Sequence, residues 1–238
     1  MDRAIPILPG DSVSVAKGCY AGHPRDGHGT RACRAGDGSI PAAPEVHRVA
    51  VSWTEVDAGL RAEADALLDK GLREVLATYG EAHVVGSYSM KLMAWRDLDV
   101  HLVMQPLDRK TFFELGGRLA ALLTPERVHY RDETEGRSAG LPNGLYWGVY
   151  LGDERQGAWK LDIWATDARG LDRVVSYCRG IERRLSVSTR ETILMIKSQC
   201  WQHAEYRRSF ASGDIYEAVL DHGVRSVESF WTFLNGRA

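Results

Sequence analysis

The stretch Arg96-Asp97-Leu98-Asp99-Val100-His101-Leu102-Val103-Met104 limits what this chain can become more than any other. Leu98, Val100, Leu102 and Met104 alternate with Asp97, Asp99 and His101, the period of a strand with one buried face. Successive strand side chains point to opposite sides, so Asp97 and Asp99 share a face. Asp is depleted in strands and costly to bury unpaired, and two on one face require a compensating partner. A divalent cation is the obvious candidate. Just upstream, Ala82 to Val85 reads as a short apolar strand, and Gly86-Ser87 opens a brief helix whose backbone N–H groups can approach a phosphate. Carboxylates beside a phosphate cradle point to nucleotide chemistry.

A third carboxylate belongs to the same pattern. Residues 145–151 and 158–164 are two aromatic-rich strands joined by a turn containing Gly152, Asp153 and Gly157, an antiparallel hairpin. On the second strand Lys160 and Asp162 share a face with Ala158 and Trp164, while Trp159, Leu161 and Ile163 take the other. If that strand lies beside the two-Asp strand, Asp97, Asp99 and Asp162 converge on one side of one sheet. Three carboxylates suit Mg²⁺ or Mn²⁺, hard ions that prefer oxygen ligands and keep waters and substrate phosphates as well. Lys160 reaches either a phosphate or a salt bridge with Asp162 or Asp99. Lys197, in the apolar stretch Ile193 to Cys200, either contacts a triphosphate or snorkels to water.

The remaining periodicities predict an α+β fold: a small mixed sheet with flanking helices, followed by a helical C-terminal region. A helix of about seven turns runs from a capping box at Thr54-Glu55-Val56-Asp57 to a C-cap at Gly80, with Leu60, Ala64, Leu67, Leu68, Leu72, Val75 and Leu76 as its stripe. Asp108 caps a further helix carrying Phe112, Leu115 and Leu119, and 127–131 is a strand. From Asp167 onward every segment is helical, with Ser188 or Thr189 as the cap of the helix containing Ile193. Residues 1–45 are rich in Gly and Pro and show no periodicity, which predicts a disordered tail; 46–166 and 167–238 form the catalytic domain and the helical region.

Composition excludes some function classes. No run approaches the roughly 18 apolar residues of a membrane span, and the N-terminus lacks a signal-peptide pattern. Cys19, Cys33, Cys178 and Cys200 have no metal-site spacing and read as free thiols in a reducing cytoplasm. A net charge of −2 supplies no field to recruit polyanions, so a nucleic-acid partner is disfavoured. The C-terminal arginines Arg179, Arg183, Arg184, Arg190, Arg207 and Arg208 read as solvated helix faces.

Gly86-Ser87 at a helix N-terminus, Asp97-Leu98-Asp99 on a strand and Asp162 on a later strand resemble the signature of the DNA polymerase beta-like nucleotidyltransferase superfamily. The resemblance covers roughly residues 55–165, and within the superfamily the chain looks most like small bacterial antibiotic (aminoglycoside or lincosamide) nucleotidyltransferases. It implies transfer of a nucleoside monophosphate from an NTP, ATP first, to a hydroxyl, with release of pyrophosphate. By the same resemblance Asp97 and Asp99 bridge two Mg²⁺ ions, while Asp162 ligands one and helps deprotonate the acceptor. Gly86, Ser87, Lys160 and Lys197 hold the nucleotide. A small hydroxylated molecule, a protein side chain and an RNA 3′ end are all compatible acceptors, and the slight negative charge tilts the expectation to the small molecule; the alternative to the enzyme is a non-catalytic nucleotide-binding regulatory or partner protein on the same fold. Two positions depart from the pattern: Lys91 stands near a second glycine of the short helix, and Arg96 stands where a Ser precedes the first Asp. The latter places a cation beside the expected metal site.

Overall fold

The computed structural model describes residues 52–138 and 140–237, and the expected N-terminal tail lies outside the described residues. Five strands form one mixed sheet in the order β1-β2-β5-β4-β3: β1 Glu81–Val85, β2 Asp97–Val103, β3 Arg127–Asp132, β4 Leu145–Tyr150 and β5 Lys160–Thr166. The two strands carrying carboxylates are neighbours and run parallel, with Asp97 opposite Lys160 and Asp99 opposite Asp162. All other pairings are antiparallel, including the β4–β5 hairpin.

The apolar face of β2 and β5 builds the first core. Leu98, Val100, Leu102, Leu161, Ile163 and Ala165 meet Ala64, Leu68, Leu72 and Leu76 from the first helical segment and Phe112, Leu115 and Leu119 from α4, Arg109–Leu123. Asp108 caps α4 by accepting the Thr111 N–H at 2.7 Å, as its position predicts.

The first helical segment differs from the single long helix that its stripe predicts. Helix α1 spans Trp53–Leu67, and α2 resumes at Arg73–Ala77 after a wide turn at Leu68–Leu72. Gly71 sits there at φ 100, a backbone that glycine adopts at little cost and that breaks the helix without interrupting the stripe. The cap is Ser52, two residues before Thr54, with Glu55 completing the capping box. Gly80 is not a cap: it packs against the backbone of Val103.

A second core surrounds α6, Val187–Cys200, where Ile193, Leu194 and Ile196 meet residues of α5 Ala168–Glu182, α7 Ser212–Leu220 and α8 Val227–Asn235. The cap of α6 is Ser186. Cys178 and Cys200 are buried free thiols. Among the described residues no helix is long and apolar enough to cross a membrane.

Candidate active site

The segment joining β1 to β2 is clamped from both sides. It begins with the short helix α3, Gly86–Met90, as the Gly-Ser pair predicts. Three acids of α1 hold it: Asp57 accepts the Met93 N–H at 2.8 Å, Asp65 accepts the Tyr88 hydroxyl at 2.5 Å, and Glu63 pairs with Arg96. From α6, Arg190 donates to the carbonyls of Met90 and Lys91, and Lys197 donates to that of Leu92 at 2.5 Å. Opposite helices thus fix the spacing between Gly86 and Asp97.

Both departures from the superfamily pattern have physical explanations here. Lys91 adopts φ 57 at the end of α3, a left-handed conformation in which glycine is favoured. Arg96 is engaged by Glu63 and the Gly157 carbonyl. The cations that reach the carboxylates come from elsewhere.

Asp97, Asp99 and Asp162 lie on one face of the sheet, with Gly86 against them. A Cβ on Gly86 would come within 2.2 Å of Asp99 Oδ2, so the backbone at Gly86 and the Asp99 carboxylate share space that no other residue leaves open. Asp97 is paired at both oxygens: Oδ1 accepts from Lys160 Nζ at 3.3 Å and Oδ2 from Arg207 Nη2 at 2.8 Å. Asp162 accepts the Tyr146 hydroxyl at 2.5 Å through Oδ1 and pairs with Lys160 through Oδ2. Asp99 accepts no hydrogen bond among the described residues.

The electrostatics follow from that division. Burial opposes ionisation of Asp97, but Lys160 and Arg207 outweigh it and hold its pKa below the usual carboxylate value. Asp99 is pushed up to about 8 by burial and by the neighbouring charges of Asp97 and Asp162. The Tyr146 hydroxyl is raised by burial and by Asp162. Behind Asp99, His101 is buried, stacks on Trp164 and is pushed down to about 4 by burial.

The expected nucleotide residues divide into those at the carboxylates and those behind them. Gly86 and Ser87 stand at the start of α3, and Lys160 takes the salt-bridge option, with Asp162 and Asp97 as partners and not Asp99. Lys197 does not snorkel: it is 1% exposed, lies 4.9 Å from the centre of the Trp95 ring, and bonds Leu92 O and the Tyr216 hydroxyl. Burial lowers its pKa to about 8.

Two site residues escape sequence reasoning. Tyr146 shares its face with Asp162, a signal present in the alternation of β4. Arg207 comes from the loop after α6, and nothing local in the sequence connects it to Asp97. Arg207 also lines a pocket of about 210 Å³ with Trp95, Tyr150, Glu154, Arg155, Trp201 and Tyr206.

The donor set fits a hard divalent ion. Three carboxylates stand on adjacent strands, and the one facing Gly86 lacks a donor. As the side chains stand, with Lys160 and Arg207 on Asp97 and Lys160 on Asp162, no group of three or more His, Cys, Asp or Glu residues among the described ones is gathered for metal binding. A divalent ion on Asp97 or Asp162 would have Lys160 beside it, and on Asp97 Arg207 as well.

No family model matches the sequence, and no curated protein matches it. Among solved structures, the chain resembles a cytoplasmic RNA terminal U-transferase at 15% identity and TM-score 0.48, covering 72% of this chain and 54% of that one. It resembles Cid1 poly(U) polymerase with MgGTP bound at 15% identity and TM-score 0.48, covering 71% and 53%. For the GLD-2/RNP-8 complex the values are 13% identity, TM-score 0.39, and 70% and 64% coverage. The chain spans about half the length of the first two, 54% and 53%.

Proposed function

We propose that the chain is a metal-dependent nucleotidyltransferase that moves a nucleoside monophosphate from an NTP, ATP first, to a hydroxyl of an acceptor. The observation that carries this reading is the carboxylate face itself: Asp99 opposite Asp162 in the parallel β2–β5 register, with Asp99 donorless against Gly86. That is the disposition expected of the DNA polymerase beta-like superfamily, whose signature the sequence resembles. Divalent ions held by Asp97, Asp99 and Asp162 would neutralise the polyphosphate and favour the alkoxide of the acceptor.

The chain's own residues then have distinct tasks. Gly86 leaves room for the Asp99 carboxylate beside the start of α3, and Ser87 supplies a hydroxyl and an N–H to the triphosphate. Asp162, already a hydrogen-bond acceptor of Tyr146, takes the proton of the incoming hydroxyl. The hydroxyl oxygen bonds to the α-phosphorus as the bond to the pyrophosphate oxygen breaks. Lys197 fixes Leu92 and with it the distance between Gly86 and Asp97.

The acceptor is proposed to be a small hydroxylated molecule. The 210 Å³ pocket walled by Trp95, Tyr150, Trp201 and Tyr206 reaches the carboxylates through Arg207, which bonds Asp97, and has room for about one ring system. A second reading, a nucleotide-binding protein without turnover, is favoured by Lys160 bridging Asp97 and Asp162. Incubation with α-labelled ATP, Mg²⁺ and a panel of hydroxylated acceptors separates the two. Label transfer with pyrophosphate release, lost in Asp162→Asn, supports the transferase. Tight Mg·ATP binding with no pyrophosphate supports the second reading.

A further inference from the structure

Arg207 reaches the carboxylates from outside the sheet. Its loop is tightly wound: the His203 N–H donates to the Cys200 carbonyl, the Tyr206 N–H to that of His203, and the Arg207 N–H to that of Phe210 at 2.7 Å. Arg207 itself sits at φ 67, a left-handed conformation that costs a non-glycine residue about 1 kcal/mol. That conformation accompanies a guanidinium contact with Asp97 Oδ2 at 2.8 Å, in which the carboxylate is largely withdrawn from solvent and Arg207 stays in part exposed.

The contact has a chemical consequence. With Lys160 on Oδ1 and Arg207 on Oδ2, each oxygen of Asp97 already faces a cation, and a divalent ion approaching Asp97 meets the repulsion of both. Lys160 lies on β5 directly opposite Asp97 and remains within reach whatever happens to the loops. Arg207 belongs to a loop, and its guanidinium is planar with five donors, matched to phosphate oxygens as well as to a carboxylate. It also forms a wall between the carboxylates and the aromatic pocket. Arg155 on the β4–β5 turn pins the start of the loop by donating to the carbonyls of Gln202 and His203, so the loop can release Arg207 without leaving the site.

We propose that Arg207 is an exchangeable counter-ion: it holds Asp97 against a lone divalent ion and passes to the polyphosphate when metal and nucleotide arrive together. This rests on the nucleotidyltransferase reading above. The exchange would favour loading of the metal–nucleotide complex over loading of the free metal, because only the complex offers Arg207 a replacement anion. Arg207 is in this sense a positioning residue, and its removal acts on two ligands with opposite sign.

The test uses the full chain and two probes, Mn²⁺ alone and ATP in EDTA. Asn tolerates the left-handed backbone, so Arg207→Asn keeps the loop, and Arg207→Lys retains a charge without the planar fork. The expected result for Arg207→Asn is Mn²⁺ binding about fivefold tighter or more and ATP binding weakened by a similar factor, a coupling of ordinary size. Arg207→Lys falls between wild type and Asn for both probes. Mn²⁺ binding that is unchanged or weaker in Arg207→Asn overturns the exchange while leaving the site intact. Wild-type Mn²⁺ binding that is insensitive to Asp99→Asn overturns the site reading, and the exchange with it.

Discussion

The two faces of the β2–β5 pair are made of the same residues in alternation and obey different rules. On one face Leu98, Val100, Leu102, Leu161, Ile163 and Ala165 are fully buried against α1, α2 and α4. Each contributes through area removed from water, and no member needs a specific partner. On the other face Asp97, Asp99, Lys160 and Asp162 meet at close range, and stability there depends on which charge has found which donor. Lys160 and Arg207 neutralise Asp97 and Asp162, whereas Asp99 is left with burial and two like charges. The apolar face holds the strands together, and the polar face is tolerated because they are held.

That contrast can be broken from either side. The largest effect is expected on transfer. Asp162→Asn should lower kcat by roughly 10³-fold, equivalent to about 4 kcal/mol, with little change in the KM for ATP. Steady-state pyrophosphate release at varied ATP checks it. On the apolar face, Leu161→Ala should destabilise the chain by about 2–5 kcal/mol through a cavity beneath the same strand. Chemical denaturation measures the loss, and a cost below about 1 kcal/mol would show that the two faces share the stabilising role.

Gly86→Ala couples the faces. The added methyl meets Asp99 Oδ2 at 2.2 Å, and the alanine must also hold φ 63. A loss of about 1–3 kcal/mol in stability is expected, together with loss of Mn²⁺ binding as Asp99 is driven aside. Retention of full Mn²⁺ affinity would separate Gly86 from the carboxylate site.

How much of this was legible in the sequence depends on how local each signal is. The alternation in β2 and β5, the Gly-Ser opening of α3, the Asp108 cap and the aromatic hairpin all rest on neighbouring residues, and the structure has them. The break at Gly71 was hidden because the apolar stripe continues across it on both sides. The caps Ser52 and Ser186 are masked by hydroxyl residues two or three positions further on, since several candidates cluster at each helix start. In the sequence Arg207 looks like one of a solvated group, because its partner Asp97 lies far away along the chain. The local sequence of Lys197 points to phosphate or solvent, and the alternative it takes, bonding the Leu92 carbonyl, depends on the fold around it.

A smaller effect tests the cost of that buried cation. Because burial lowers the Lys197 pKa from 10.5 to about 8, the unfolded chain binds the proton more tightly than the folded one between those values. Wild-type stability should therefore rise with pH across that window, with the full penalty present below about pH 8. Lys197→Met should remove the dependence and melt higher than wild type at pH 7, by an amount of order 1–3 kcal/mol after the lost hydrogen bonds are counted. A flat wild-type profile from pH 8 to 10.5, measured by denaturation, contradicts the assignment.

Asp99 offers the most direct measurement, because it is the residue at which stability and the proposed chemistry oppose each other. Its raised pKa means that the folded chain loses stability as pH rises from the ordinary carboxylate value of 3.8 through about 8, and a divalent ion should reverse that loss. Thermal unfolding of wild type and Asp99→Asn at pH 8, each in EDTA and in Mg·ATP, should give crossed results. In EDTA the variant melts higher, by the equivalent of about 1–3 kcal/mol, because an unpaired buried carboxylate has been removed. In Mg·ATP only wild type gains. A variant that melts lower in EDTA and gains as much as wild type from Mg·ATP would show that Asp99 is a structural carboxylate and that the nucleotide site lies elsewhere.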